Sequence, residues 1–199
     1  MLKRLFDIVV SFTALVVLAV PLLVIALIVR LESKGPAIFK QRRAGKDEQP
    51  FTMLKFRSMR TDVDPYGSSP HSAEDPRMTK FGRFLRETSA DELPQLLNVL
   101  IGTMSLVGPR PLYLRQAAEW DDRQKHRLDV LPGITGYAQA YGRGSLPIED
   151  KIEMDLYYVE NRTFWLDLKI IGRTVLNIFK HSGDTYEQRY SREKERETD

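Results

Sequence analysis

Residues 8–29 read IVVSFTALVVLAVPLLVIALIV, an uncharged run of 22 residues. Only Ser11, Thr13 and Pro21 lie outside the apolar set. A straight helix of this length, rising about 1.5 Å per residue, matches a hydrocarbon core of roughly 30 Å. The run therefore predicts that the chain enters a membrane. A cleaved signal peptide is disfavoured, because large apolar residues continue where small ones should precede a cleavage site.

Pro21 lies near the middle of this run and predicts a break, because proline removes a backbone hydrogen bond and clashes with the preceding turn. Basic residues flank both ends of the run: Lys3 and Arg4 precede it, and Arg30, Lys34, Lys40, Arg42, Arg43 and Lys46 follow it. Such flanks are typical of cytoplasmic segments, so a helix that enters and returns on one side fits. Proline is also tolerated in spanning helices, so the residues alone favour neither form.

The composition of the whole chain narrows the class of protein. A length of 199 residues with a hydrophobic fraction of 42% allows one buried core. The net charge of +3 gives no reason to expect a nucleic-acid partner. The absence of cysteine excludes disulfides, a thiolate nucleophile and Cys-ligated metal sites. No GxxxxGK[ST] or GxGxxG motif occurs, which disfavours P-loop and Rossmann nucleotide sites.

Residues 32–183 predict a mostly helical α+β domain. Short apolar pieces at 37–39 and 51–54, separated by a polar turn, predict a small β-hairpin. Apolar spacing predicts helices over 80–86, over 93–100 with Gly102 as its stop, and over 164–180 with Gly183 as its stop. The helix over 80–86 could lie on anionic lipid or pack on the core. Residues 60–77 predict a long surface loop, and the charged residues 184–199 predict a flexible tail.

Asp91 and Glu92 are the first candidates for chemistry. They precede Pro94, which fits near the first turn of a helix, where its missing N–H is not needed. The two carboxylates could therefore simply cap this helix and complement its dipole. Carboxylates that hold a divalent cation, combined with separated arginines, instead suit phosphoryl transfer. A carboxylate can also act as the nucleophile.

Two arginines strengthen the phosphoryl-transfer interpretation. Arg110 lies between two prolines, which stiffen the backbone on either side, so it suits a phosphate clamp. Arg143 lies between two glycines. The stretch Pro132-Gly133-Ile134-Thr135-Gly136 supplies further glycines, which let backbone donors approach a ligand closely. Each of these features alone is weak, because glycine-rich turns are common.

Taken in order, these residues resemble a known family, the monotopic phosphoglycosyl transferases, also called bacterial sugar transferases. The similarity extends from residue 3 to about residue 183. Its most specific stretches are Lys55-Phe56-Arg57-Ser58-Met59, residues 91–99 (DELPQLLNV), Gly108-Pro109-Arg110-Pro111 and Pro132-Gly133-Ile134-Thr135-Gly136. The length of the chain resembles the small form of the family, which contains only the catalytic domain.

The resemblance implies a reaction that begins glycoconjugate or exopolysaccharide assembly at the membrane. Asp91 would attack the β-phosphate of a UDP-sugar, release UMP and hold the phospho-sugar until polyprenyl (undecaprenyl) phosphate accepts it. This is a ping-pong mechanism. Mg²⁺ would bridge Asp91, Glu92 and the diphosphate, and Glu92 would assist in metal binding or proton handling. Phosphate or substrate would be bound by Lys55, Arg86, Arg110 and Arg143.

The resemblance also implies a location. Residues 1–31 would form a re-entrant helix-break-helix, broken at Pro21, that dips into one leaflet of the bacterial cytoplasmic (inner) membrane. The protein would then be monotopic, with amphipathic helices at the lipid interface and its site on the cytosolic face. Relatives often have Ser before this proline, whereas Val20 stands here, which leaves the bend angle open. The sugar, the pathway and the exact polyprenol are not predicted, and the oligomeric state stays open, with a homodimer as one alternative.

Two rival hypotheses come from other classes of protein. The first is a membrane-anchored interaction module whose basic segment binds anionic lipid. The second is a metal-dependent hydrolase of lipid phosphates, which would use water as the acceptor. Substitution of Asp91 discriminates between an enzyme and a module, and the product discriminates between the two enzymes.

Overall fold

The computed structural model describes residues 1–63, 75–142 and 146–180, with side chains described as far as 178. The chain begins with helices α1 (Leu2–Val17) and α2 (Ala19–Glu32). The strands are β1 (Ile38–Ala44), β2 (Pro50–Phe56), β3 (Ser105–Val107) and β4 (Gly133–Thr135). The other α-helices are α3 (Lys80–Glu87), α4 (Gln95–Ile101), α5 (Leu114–Ala118), α6 (Asp122–Lys125), α7 (Tyr137–Tyr141), α8 (Ile148–Asn161) and α9 (Phe164–Lys180).

Helices α1 and α2, here called the N-terminal arm, are bent by 64° relative to each other. The break lies at Leu18, three residues before the predicted position, Pro21. Proline cannot donate to the carbonyl four residues earlier, that of Val17, and its ring clashes with it, so the first helix ends there. No one helix of the described chain is long and apolar enough to cross a membrane, but the bent pair together meets that test.

The start of the arm is bound to the rest of the chain. The ammonium group of Lys3 lies 2.7 Å from a carboxylate oxygen of Asp167 on α9. Arg4 donates to the carbonyls of Val99 and Leu100 at 2.5 and 2.9 Å. These carbonyls belong to the last turn of α4, where the i+4 donors of a continuing helix are missing. Lys3 and Arg4, which precede the apolar run as basic flanking residues, therefore also have binding partners within the molecule.

The face of α1 that meets the domain carries buried polar groups. The carboxylate of Asp7 accepts hydrogen bonds from the Ser105 hydroxyl at 2.8 Å and from the Leu106 N–H at 3.2 Å. The Ser11 hydroxyl donates to the Asp7 carbonyl at 2.6 Å. On the opposite face, Phe12 is 57% exposed. The first half of the apolar run therefore packs on the domain with one face and leaves the other uncovered.

Arg57 binds the far end of the arm. Its guanidinium donates to the carbonyls of Lys34, Ser33 and Val29 at 2.5, 2.8 and 3.1 Å. These carbonyls lie at or just beyond the end of α2 and lack helical partners. Arg57 is itself buried. One side chain thus fixes the position of α2 relative to β2, which ends at the residue before it.

The predicted hairpin and helices are confirmed. Strands β1 and β2 pair antiparallel, with Ile38 opposite Phe56. Gly102 ends α4 with a left-handed φ of 100°, which a glycine adopts without strain. Helix α3 buries Leu85 fully and leaves Phe84 exposed, so it packs on the core and also presents an aromatic ring outward. Gly183, the tail at 184–199 and the loop residues 64–74 lie outside the described residues.

The core lies between the hairpin, α4, α8 and α9. Its buried members include Phe51, Met53, Leu96, Val99, Met104, Tyr158 and Ile170. Strands β3 and β4, which sequence patterns did not reveal, form a short parallel pair beside it. The result is the expected mostly helical α+β architecture, and the loops between these elements carry the acidic pair and Arg110.

Candidate active site

The acidic pair occupies a 3-10 turn of its own, Ala90–Glu92, between α3 and α4. Ser89 turns the chain out of α3 with a left-handed φ of 58°. A non-glycine residue in this conformation costs on the order of 1 kcal/mol or more, and such strain often lies beside functional groups. Helix α4 begins after Pro94, and no side chain caps it. The interpretation of Asp91 as a simple helix cap is therefore wrong.

Glu92 is held by two cations. Its Oε1 atom accepts hydrogen bonds from the Lys55 ammonium at 2.8 Å and from the Arg110 guanidinium at 2.7 Å. Burial opposes the ionisation of Glu92, but the charges of Arg110 and Lys55 outweigh it and hold the pKa of Glu92 below its usual value. The charge of Glu92 in turn raises the pKa of Arg110. Glu92 therefore stays ionised and fixes both cations in place.

Asp91 has a different environment. It is 7% exposed, and no donor in the described part of the chain hydrogen-bonds to its carboxylate. Burial raises the pKa of Asp91 to about 6, although the charge of Lys55 opposes this shift. The carboxylate is thus ionised at neutral pH, while no hydrogen bond from residues 1–63, 75–142 or 146–178 stabilises it. Such a group retains its lone pairs for reaction with an electrophile.

The structure brings together most of the side chains singled out in the sequence. Lys55 comes from β2, and Arg110 follows β3. Arg86 of α3 is close enough to favour ionisation of Asp91 and so to lower its pKa. Arg143 lies outside the described residues. That these cations bind phosphate or substrate stays a prediction.

Arg127 holds the backbone of Arg110 in place. The sequence patterns did not indicate this role. The guanidinium of Arg127 donates to the Arg110 carbonyl at 2.9 Å and forms a buried ion pair with Asp155 of α8. It also lies 4.7 Å from the centre of the Trp120 ring. Asp155 follows Arg127 by 28 residues. No local sequence pattern marks a pairing at that distance.

Asn98 holds the strand that carries Lys55, as Arg127 holds the backbone of Arg110. Its side-chain amide donates to the Thr52 carbonyl at 2.8 Å, and its oxygen accepts from the Leu54 N–H at 3.0 Å. These bonds fix β2, and with it Lys55, against α4. A signal was present in the sequence, because Asn98 is a polar residue within an otherwise apolar helical stretch, where it must find partners.

The glycines that sequence analysis assigned to close approach of a ligand instead allow close approach of two strands. A Cβ atom on Gly133 would lie 2.1 Å from the Gly108 nitrogen, and one on Gly136 would lie 2.3 Å from the Gly108 oxygen. No side chain can be accommodated at these distances. The glycines therefore allow the segment before Arg110 to pack directly against the backbone of β4.

For a divalent cation, the described residues of the site offer one pair of carboxylates, Asp91 and Glu92. Among residues 1–63, 75–142 and 146–180, no three His, Cys, Asp or Glu side chains are grouped for metal binding. Mg²⁺, however, is often bound through one or two carboxylates and substrate phosphates. Asp91 and Glu92 fit this second arrangement. Asp91 is the more available ligand, because Lys55 and Arg110 already occupy Glu92.

Comparison with known proteins identifies the family to which this chain is similar. Residues 1–181 match the family model for bacterial sugar transferases. An uncharacterized sugar transferase, EpsL, of Bacillus subtilis (strain 168) is 44% identical over 182 residues, which are 92% of this chain and 89% of the relative. The exopolysaccharide production protein PSS of Rhizobium leguminosarum bv. phaseoli is 46% identical over 192 residues, which are 88% of this chain and 94% of the relative.

A longer relative extends the comparison. The UDP-glucose:undecaprenyl-phosphate glucose-1-phosphate transferase of Escherichia coli (strain K12) is 43% identical over 187 residues, which are 90% of this chain but 40% of the relative. The match to the family model covers the arm, the acidic turn and Arg110 alike. The chain therefore belongs to the bacterial sugar transferase family.

Proposed function

We propose that this chain transfers a sugar-1-phosphate from a UDP-sugar to undecaprenyl phosphate or a similar polyprenyl phosphate, with release of UMP. The observation that carries the proposal is the buried carboxylate of Asp91, which accepts no hydrogen bond from the described residues and lies beside the cations fixed by Glu92. The names of relatives point the same way, because the protein from Escherichia coli is named for transfer of glucose-1-phosphate to undecaprenyl phosphate.

The proposed reaction has two displacements at one phosphorus atom. In the first, an oxygen of Asp91 attacks the β-phosphorus of the donor, and the bond to the oxygen shared with the α-phosphate breaks, so UMP leaves. In the second, an oxygen of polyprenyl phosphate attacks the same phosphorus, and the Asp91 carboxylate leaves. The product is a sugar joined to the lipid by a diphosphate. This ping-pong order needs an ionised nucleophile, which Asp91 provides at neutral pH.

The surrounding side chains would act through charge and position. Lys55 and Arg110 are already oriented by Glu92, so they need little reorganisation when a phosphate arrives. Arg86 and Arg143 complete the proposed set of phosphate- or substrate-binding cations. Mg²⁺, held by the acidic pair and the diphosphate, would neutralise further negative charge on the phosphates.

We also propose that the arm is re-entrant and that the protein is monotopic on the cytosolic face of the bacterial cytoplasmic membrane. Support comes from the two ends of the arm, which are both bound to the same domain through Lys3 and Arg57. A spanning helix would separate its ends by about 30 Å of hydrocarbon. Between these ends, large apolar side chains are exposed, among them Val17, Val20 and Leu23, each 70% exposed.

The test is release of UMP from a panel of UDP-sugars by the detergent-solubilised chain, with and without undecaprenyl phosphate and Mg²⁺. Asp91→Asn is compared with Asp150→Asn, which removes an exposed carboxylate from α8. We expect a lipid-linked product from the native chain and from Asp150→Asn only. Phosphate release without a lipid product would favour the hydrolase, and equal turnover by Asp91→Asn would exclude Asp91 as the nucleophile.

A further inference from the structure

A small pocket adjoins the acidic turn and contains a cation that the proposed mechanism does not use. Its lining comprises Arg43, Met53, Lys55, Gln95, Arg110 and Pro111. Arg43 comes from β1, next to Ala44, whose N–H donates to the Leu112 carbonyl at 3.1 Å. This bond joins β1 to the segment that carries Arg110. The three cations of the pocket thus stand on backbone segments that are fixed to one another.

The guanidinium of Arg43 is held in one orientation by neutral groups. It lies 3.7 Å from the centre of the Tyr113 ring. Its Nε and one terminal nitrogen donate to the Gln41 side-chain oxygen at 3.0 and 2.6 Å. A guanidinium has five N–H donors, so three N–H groups of Arg43 are not used by Gln41. The planar fork is therefore already oriented before any ligand binds.

The charge of Arg43 is not balanced by a direct ion pair. Lys55 and Arg110 both pair with Glu92, whereas no carboxylate of the described residues lies within ion-pair distance of Arg43. Burial, together with the nearby charge of Arg110, lowers the pKa of Arg43 to about 10, so the side chain is still cationic at neutral pH. A half-buried cation without a counter-ion is unfavourable in the free protein, and a bound anion would remove that cost.

We propose that Arg43 is a phosphate-binding residue of the active site, whose guanidinium contacts the oxygens of a phosphate at the opening of this pocket, beside Lys55 and Arg110. This inference rests on the proposed function and adds to it a residue from a different strand. The phosphate belongs either to the diphosphate of the donor or to the head group of the lipid acceptor. Both present the same tetrahedral, anionic oxygens, which a guanidinium fork binds with two hydrogen bonds.

The chain offers a matched control in Arg42. It is the preceding residue of β1, so its side chain points to the opposite face of the hairpin, and it is exposed. Arg42→Ala and Arg43→Ala remove the same charge from neighbouring positions. Arg43→Lys keeps the charge but loses the fork and its stacking on Tyr113. Circular dichroism establishes that each variant is folded, and Arg43→Lys replaces Arg43→Ala in the kinetics if the latter does not fold.

The experiment measures KM separately for the UDP-sugar and for undecaprenyl phosphate. We expect Arg43→Ala to raise one of the two by about tenfold or more, as for loss of a charge-assisted contact, and Arg43→Lys to raise it less. Arg42→Ala should change neither KM by more than about twofold, as expected for an exposed charge outside the site.

A raised donor KM identifies the diphosphate, and a raised acceptor KM identifies the head group. If both KM values of the folded Arg43 variant stay near native, including when only kcat falls, the proposal is wrong.

A second measurement separates this proposal from the proposed function. If the native chain turns over no donor, inorganic pyrophosphate is titrated into native chain and Arg43→Ala by calorimetry. Weaker binding by the variant supports the phosphate site even though the transfer reaction has failed. Equal titration curves, including no binding by either protein, overturn it.

Discussion

Asp91 and Glu92 are adjacent in the chain, yet only the carboxylate of Glu92 is held by cations. Glu92 accepts from Lys55 and Arg110 at 2.8 and 2.7 Å. Asp91 is buried without a hydrogen bond among the residues that the structure covers. The turn thus places two like side chains in unlike environments and shifts their pKa values in opposite directions. Environments of this kind separate the roles of paired carboxylates.

Asp91→Asn should make the protein more stable while abolishing turnover. Burial raises the pKa of Asp91 from 3.8 to about 6, so its ionised form opposes folding above pH 6 by about 3 kcal/mol. Below pH 4 the carboxyl is protonated in both the folded and the unfolded states, and this penalty disappears. Thermal unfolding in detergent and EDTA should therefore show a larger advantage of the variant at pH 8 than at pH 4. A variant less stable than native at pH 8 would contradict the raised pKa of Asp91.

The rate should depend on pH through the same group. Because the nucleophile must be ionised, kcat/KM for UMP release should rise about tenfold per unit below pH 6 and level off above it. Lys55 is the largest charge that lowers the pKa of Asp91. Lys55→Ala should therefore move this rising limb to higher pH, in addition to lowering the rate. Initial rates between pH 5 and 8 measure both effects, and a limb at the same pH in the variant would argue against Asp91 as the titrating group.

Arg57→Ala should loosen the arm and destabilise the chain. The substitution removes the Arg57 donor from the carbonyls of Val29, Ser33 and Lys34, of which Lys34 still accepts from the Thr61 hydroxyl, and should cost about 2 kcal/mol or more. The control is Arg60→Ala, which removes an exposed ion pair with Asp62 and should change stability little. Thermal unfolding of the two variants in the same detergent measures the difference. Equal losses would mean that Arg57 does not hold the end of α2.

Labelling of single cysteines tests the re-entrant arm, and the chain suits this method because it contains no native cysteine. Leu2→Cys places a thiol at an exposed position at the start of α1, and Glu119→Cys places one on the exposed surface of the domain. A membrane-impermeant maleimide added to intact spheroplasts should label neither residue, and both should react after permeabilisation. Labelling of Leu2→Cys alone in intact spheroplasts would instead indicate a spanning helix.

Much of the fold could be predicted because its signals are local. The apolar run, the hairpin and helices α3, α4 and α9 follow from periodicity and from stop residues such as Gly102. The break in the arm was predicted at Pro21 but lies at Leu18, because a proline disrupts the turn that precedes it rather than its own position. The sequence thus predicted that the arm bends, and the structure supplied the residue and the angle.

The supports of the site could not be predicted in the same way. Asp7 meets Ser105 across 98 residues, and Arg127 meets Asp155 across 28. Neither pairing follows from spacing, because the partners meet only once the chain has folded. The residues singled out for chemistry stood in short motifs, whereas the residues that hold them in place are single charged or polar side chains that become buried. Arg57 stood within a recognised motif, but its binding to α2 depends on where the arm returns to the domain.

In the proposed re-entrant arrangement, the position of Arg57 would also set the depth of the acidic turn relative to the lipid. Lys55 of the site and Arg57 of the arm are two residues apart, a backbone distance of at most about 7 Å. An arm seated in one leaflet therefore fixes the height of the acidic turn above the lipid. A lipid phosphate could then reach Asp91 by lateral diffusion, with its tail still in the bilayer. A longer or more tilted arm would change which lipid head groups can reach Asp91. This change would require no substitution in the site itself.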